Sequence, residues 1–154
     1  TVVRSTVKMK EVVFAGGDDG LTAIASVVQA DECEVRGAKD DHEARRIAKS
    51  VLNSPLVKTM VHGADPNVGR LLMAVGKCFE CTIDPTATDA WINGFQVVKG
   101  GERLSFDDAV VRTALKAEVV DLEISLGVGT ATATAYGCDL TKGYVDENAS
   151  YYSS

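Results

Sequence analysis

The clearest pattern in the chain follows Asp40. Ala44, Ile47, Ala48, Val51 and Leu52 recur at three- and four-residue intervals, while Arg45, Arg46 and Lys49 fall between them. That spacing predicts a helix with one apolar stripe and a solvated opposite face. Asp40 and Glu43 have capping-box spacing, in which Asp40 caps free N–H groups and Glu43 reaches back. Asn53-Ser54-Pro55 stops the helix, because a proline disfavours helical backbone in the residue before it. Leu56 to Val61 then reads as a buried strand. Asp65 suits the N-cap and Pro66 the first position of a second helix, with Leu71, Leu72 and Val75 on its apolar face. Gly69 and Gly76 would let that helix approach a neighbour closely.

Farther along, Trp91 to Val98 reads as two short strands around Asn93-Gly94, a strong hairpin dipeptide. Lys99 to Glu102 is a turn, and Ser105-x-x-Asp108 predicts the start of a third helix, Asp107 to Lys116, carrying Val110, Val111 and Leu115. Val120, Leu122, Ile124 and Leu126 alternate with Asp121, Glu123 and Ser125, the period of a half-buried strand. Gly127-Val128-Gly129 turns the chain into a second strand, Thr130 to Ala135, with a small-residue face. Nearer the start, Cys33 to Arg36 is a short strand ended by Gly37. Thr1 to Phe14 fits strand or helix, Ala15 to Gly20 a glycine loop, and Ile24 to Val28 a short strand. Tyr144, Val145, Tyr151 and Tyr152 suggest that the tail docks. The expected fold is α/β, with a mixed sheet and about three helices. Residues 33–154 form the domain, and residues 1–32 are a segment packing on it.

Composition narrows the function classes. A 154-residue chain with 45% hydrophobic and 25% charged residues is an ordinary globular domain. Its net charge of −6 argues against a nucleic-acid partner. No apolar run approaches the ~20 residues of a membrane span, and no leader pattern opens the chain, so a cytoplasmic location is expected. The spacing of Cys78 and Cys81 is that of a redox or zinc half-site without a second half, so no metal or cofactor is expected. His42 reads as a surface residue, Asp65 as a cap, and Asp18 and Asp19 as loop carboxylates. Spacing alone assembles no catalytic constellation.

Longer motifs say more. Asn53-Ser54-Pro55-Leu56-Val57-Lys58-Thr59, Gly63-Ala64-Asp65-Pro66-Asn67-Val68-Gly69-Arg70 and Ala74-Val75-Gly76-Lys77 occur in that order. They are followed by Ala135-Tyr136-Gly137-Cys138-Asp139-Leu140-Thr141 and then Gly143-Tyr144-Val145. Together these segments resemble the ornithine acetyltransferase (ArgJ) family, in particular the C-terminal part of its β chain. The resemblance implies a precursor that cuts itself before a threonine into α and β chains. The new threonine carries acetyl from N-acetylornithine to glutamate as an ester, a step in arginine biosynthesis. An N-terminal threonine suits this role because its own α-amine can act as base. Thr1-Val2-Val3-Arg4 does not resemble the family's nucleophile segment, so no catalytic residue is assigned. The resemblance places Asp19 at a substrate-contacting loop, where it would face the amino group of the substrate. It gives Asn148 and Ser153 the carboxylate, because an amide and a hydroxyl can both donate to it. Ala23 and Val68 stand where the family has lysine and tryptophan. The implied partners are an ArgJ-type α chain in a hetero-oligomer, with N-acetylornithine and glutamate as substrates. A non-catalytic domain of the same fold, structural or partner-binding, is the alternative.

Overall fold

In the computed structural model, residues 30–149 are described. The N-terminal expectations up to Val28 and the tyrosines at 151 and 152 lie outside them. The elements, in order, are β1 (Ala30–Ala38), α1 (Asp41–Leu52), α2 (Pro55–His62), α3 (Gly69–Gly76) and a 3₁₀ turn (Pro85–Ala87). They continue as β2 (Asp89–Ile92), β3 (Phe95–Lys99), β4 (Glu102–Arg103), α4 (Asp108–Ala114), β5 (Val119–Ser125), β6 (Ala131–Cys138) and α5 (Lys142–Ala149). The strands form one sheet in the order β4-β3-β2-β5-β1-β6, in which β1 and β5 run parallel and every other pair is antiparallel. The fold is α/β with a mixed sheet, as the patterning predicts.

Register explains which face is buried. Cys33 and Val35 of β1 lie beside Leu122 and Ile124 of β5 and beside Ala135 and Ala133 of β6. Ile92 and Ala90 of β2 extend the row. Side chains alternate along strands, so these residues share one face, and α1 packs there on β1 and β6. Its entire apolar stripe is buried, while Arg45, Arg46 and Lys49 are exposed. The opposite face carries Glu34, Arg36, Glu123 and Trp91. On that face Arg36 pairs with Glu123 at 2.8 Å and lies over the Trp91 ring at 5.6 Å.

Several local expectations are corrected. Leu56–Val61 is not a strand: it lies within α2. Ser54 Oγ caps α2 by accepting from Val57 N–H at 3.5 Å, and Pro55 takes its first position. The buried residues Val57, Met60 and Val61 have helical rather than alternating spacing. The Ser-Pro pair that stops α1 therefore also starts α2. Asp65 and Pro66 do not open α3, whose first helical bonds run to the Val68 carbonyl. Val68 is buried there and supplies no side-chain cap. Neither expected close approach is made among the described residues: nothing lies within 4 Å of a Cβ built on Gly76, and one on Gly69 meets the Asn67 side chain at an ordinary 3.4 Å. α4 is capped by Asp107, accepting from Ala109 N–H at 2.9 Å, rather than by Ser105. The tail adds α5, a helix the pattern did not predict.

Two loops follow the sequence closely. Asn93 and Gly94 both have positive φ, 45° and 78°, which matches the twist of the β2–β3 hairpin. Asn93 also donates to the Ala114 carbonyl at 2.7 Å and accepts from Asp121 N–H at 2.6 Å, tying the hairpin to α4 and β5. The Gly127–Gly129 loop carries the chain past the end of β1, because β5 and β6 are not neighbours. A Cβ on Gly129 would lie 2.2 Å from the Ala38 carbonyl oxygen, so only glycine fits.

Asp40 caps α1 as expected, accepting from Glu43 N–H at 2.8 Å. Glu43 does not reach back to Asp40. Its buried carboxylate crosses instead to Thr82, accepting from the backbone N–H at 2.8 Å and the hydroxyl at 3.3 Å. Replacing Glu43 with alanine leaves Thr82 N–H without this partner and should cost about 1–3 kcal/mol, read as a lower urea midpoint. Glu43→Gln, which keeps an acceptor oxygen, should lose less than half of that.

Candidate functional site

Of the three residues that the family resemblance marks, Asp19 and Ser153 lie outside the described residues. Asn148 falls in the last turn of α5. The structure adds a charged cluster at the point where α5 leaves the sheet. β6 ends at Cys138, Asp139 to Thr141 form a corner, and α5 follows. The Asp139 side chain is 2% exposed, and Thr141 is also buried.

Two side chains of α2 meet this corner. His62 Nδ1 lies 3.1 Å from Asp139 Oδ2. A carboxylate oxygen only accepts, so Nδ1 carries the proton. His62 is in the last turn of α2. Lys58 Nζ donates to the backbone carbonyl of Cys138. Residues four apart on a helix rise only ~6 Å, so Lys58 and His62 share one face of α2 and reach adjacent residues of the corner.

Asp31 completes the cluster from β1, where it sits opposite Gly137 of β6. It is 3% exposed, and its Oδ1 has no hydrogen-bond partner among the described residues. Burial first, then the Asp139 charge, raises its carboxyl from the ordinary 3.8 to about 7, with Lys58 opposing. The thiols nearby are not activated. Burial pushes the Cys138 thiol up, as it does for Cys81, and takes Cys33 to about 12. Protonated thiols are poor nucleophiles and poor metal ligands.

A separate cleft of about 650 Å³ opens between α1 and β6, lined by Arg45, Lys49, Asn53, Thr132, Thr134 and Tyr136 among others. Asp31, Lys58, His62 and Asp139 do not line it. His42 is exposed, as expected. Asp65 lies 3.8 Å from Arg70 and is not a helix cap. The cluster itself escaped the sequence reading. His62 and Asp139 are 77 positions apart, and a strand at 56–61 would have separated Lys58 from His62 by about 13 Å.

The ArgJ family model matches residues 22–153. The chain belongs to the ArgJ family. It is 41% identical over 138 residues to the arginine biosynthesis bifunctional protein ArgJ of Staphylococcus aureus (strain COL), an alignment that covers 90% of this chain and 32% of that protein. It is 43% identical over 125 residues to the glutamate N-acetyltransferase Oat2 of Streptomyces clavuligerus, covering 78% of this chain and 32% of that protein. The crystal structure of ArgJ from Bacillus halodurans superimposes with a TM-score of 0.77 at 36% identity, covering 81% of this chain and 59% of that one. The chain thus spans about a third of the length of the curated ArgJ proteins it matches.

Asp31 gives this region a signed pH response. Its raised value means that the folded state holds a proton that the unfolded chain releases above about pH 4. The stability this proton contributes is complete below pH 3.8 and is lost as pH rises through 7. Asp31→Asn should therefore be more stable than the parent chain at pH 8, by about 2–4 kcal/mol, with the difference vanishing near pH 4. Urea unfolding at both pH values measures it.

Proposed function

We propose that this chain forms one wall of the substrate pocket of an acetyltransferase that moves acetyl from N-acetylornithine to glutamate in arginine biosynthesis. The observation that carries the reading is the family match over residues 22–153, together with relatives named for arginine biosynthesis and glutamate N-acetylation. The acyl-carrying threonine belongs to a segment that precedes the matched region in the family pattern, and an ArgJ-type α chain supplies the remaining walls and the donors for the oxyanion. Coverage supports two chains. This chain accounts for over half of the crystallised Bacillus halodurans chain but a third of the curated proteins, so that crystallised chain is roughly half their length.

In this reading Asn148 and Ser153 hold the substrate carboxylate, and Asp19 its amino group. The placement of Asn148 on α5, a short helix that leaves the edge strand β6, supports this, because such a helix can project into a pocket shared with another chain. Val68 favours the second reading, a non-catalytic domain that keeps the fold. A buried aliphatic side chain stands where the family has a tryptophan, and the indole N–H and ring surface are lost with it.

The two readings separate in a chimera in which residues 22–153 replace the matching third of an active, full-length ArgJ protein, which supplies the α chain and the nucleophile. Acetyl transfer from N-acetylornithine to glutamate is expected. Asn148→Ala should raise the KM for glutamate about tenfold with kcat nearly unchanged, as for a lost hydrogen bond to a charged group. A cooperatively folded chimera without acetyl transfer would sink the catalytic reading.

A further inference from the structure

α5 is eight residues long, and helices that short do not persist on their own in water. Among its described side chains, Lys142, Asp146 and Ala149 are exposed, and Val145 is 48% exposed. The buried groups lie at its root. Asp139 and Thr141 are both covered, and the Thr141 carbonyl accepts the first turn's bond from Val145 N–H at 3.2 Å. The buried 139–141 corner is where α5 joins the sheet.

That corner is gripped at two successive residues by a single helix. Lys58 holds the Cys138 backbone carbonyl, and His62 holds the Asp139 carboxylate. Two contacts from one helix face thus hold two successive residues, the last of β6 and the first of the corner. α2 is itself anchored by the buried Val57, Met60 and Val61. His62 remains 48% exposed, so it caps the cluster from the solvent side instead of filling the core.

We propose that Lys58 and His62 are positioning residues, a two-point clamp on the β6–α5 corner that aims the helix carrying Asn148 at the substrate carboxylate. The aim rests on the role given to Asn148 above; the clamp does not. A misdirected α5 weakens a binding contact without touching the acyl-transfer groups, so the clamp acts on KM more than on kcat.

Hydrogen–deuterium exchange on the 154-residue chain tests the clamp without any activity. His62→Ala should speed exchange in residues 139–149 by about tenfold or more, with β1 and β5 unchanged. His62→Gln, which keeps a donor for Asp139, should restore most of the protection. Lys58→Met should loosen the same segment and serves as the second variant if His62→Ala fails to fold. Unchanged exchange in 139–149 for a folded variant would overturn the clamp. In the active chimera, His62→Ala should raise the KM for glutamate several-fold with kcat within about twofold, and His62→Gln should reverse it. A loosened α5 with unaltered KM would refute the aiming role. Failure of the parent chimera to transfer acetyl removes the aiming role together with the catalytic reading, and the exchange result still decides the clamp.

Discussion

The position of β1 between β5 and β6 is the constraint on which the rest of the molecule depends. One strand pairs parallel on one side and antiparallel on the other, and its buried residues Cys33 and Val35 carry the row on which α1 packs. The same pairing fixes both of its ends. At one end Gly37 and Ala38 meet the Gly127–Gly129 loop so closely that a Cβ on Gly129 would strike the Ala38 carbonyl. At the other, Asp31 faces Gly137 and brings the corner at Asp139 beside α2. A slip by one residue would turn the apolar row to the wrong face and separate that corner from Lys58 and His62.

The charged cluster costs stability that an apolar cluster would not. Asp31 is buried with an unpartnered oxygen beside a second carboxylate, and such a group is destabilising once ionised. Lys58 and His62 offset part of this, since one opposes the rise in the Asp31 pKa and the other bonds to Asp139. This electrostatic cost falls where the chain leaves the sheet for α5, the element that the proposed function places at the substrate. Elsewhere the molecule is built conventionally. Glu43 ties α1 to the loop at Thr82, and Asn93 ties the hairpin to α4 and β5.

Family membership and the geometry of this chain answer different questions. Membership places the chain among proteins named for arginine biosynthesis and glutamate N-acetylation. Geometry gives residues 30–149 a six-stranded mixed sheet and a short helix that follows the Asp139–Thr141 corner. The cleft between α1 and β6 is separate from that corner, so the two features need separate explanations.

The sequence alone determined the elements whose signals are local. The stripe of α1 has a period that only a helix can bury on one face, the alternation in β5 suits only a half-buried strand, and Asn93-Gly94 supplies the positive φ its turn demands. The family was marked by the order of long motifs. Tertiary structure decided what local signals leave open. Leu56–Val61 satisfies strand and helix alike until Ser54 and Pro55 are seen to cap it and Met60 and Val61 to pack below. Glu43 could bond to its own helix or across to Thr82, and only the approach of that loop chose between them. The pairing of His62 with Asp139 spans 77 positions and has no period, so it exists only once β6 has been laid beside β1 and its end delivered to α2.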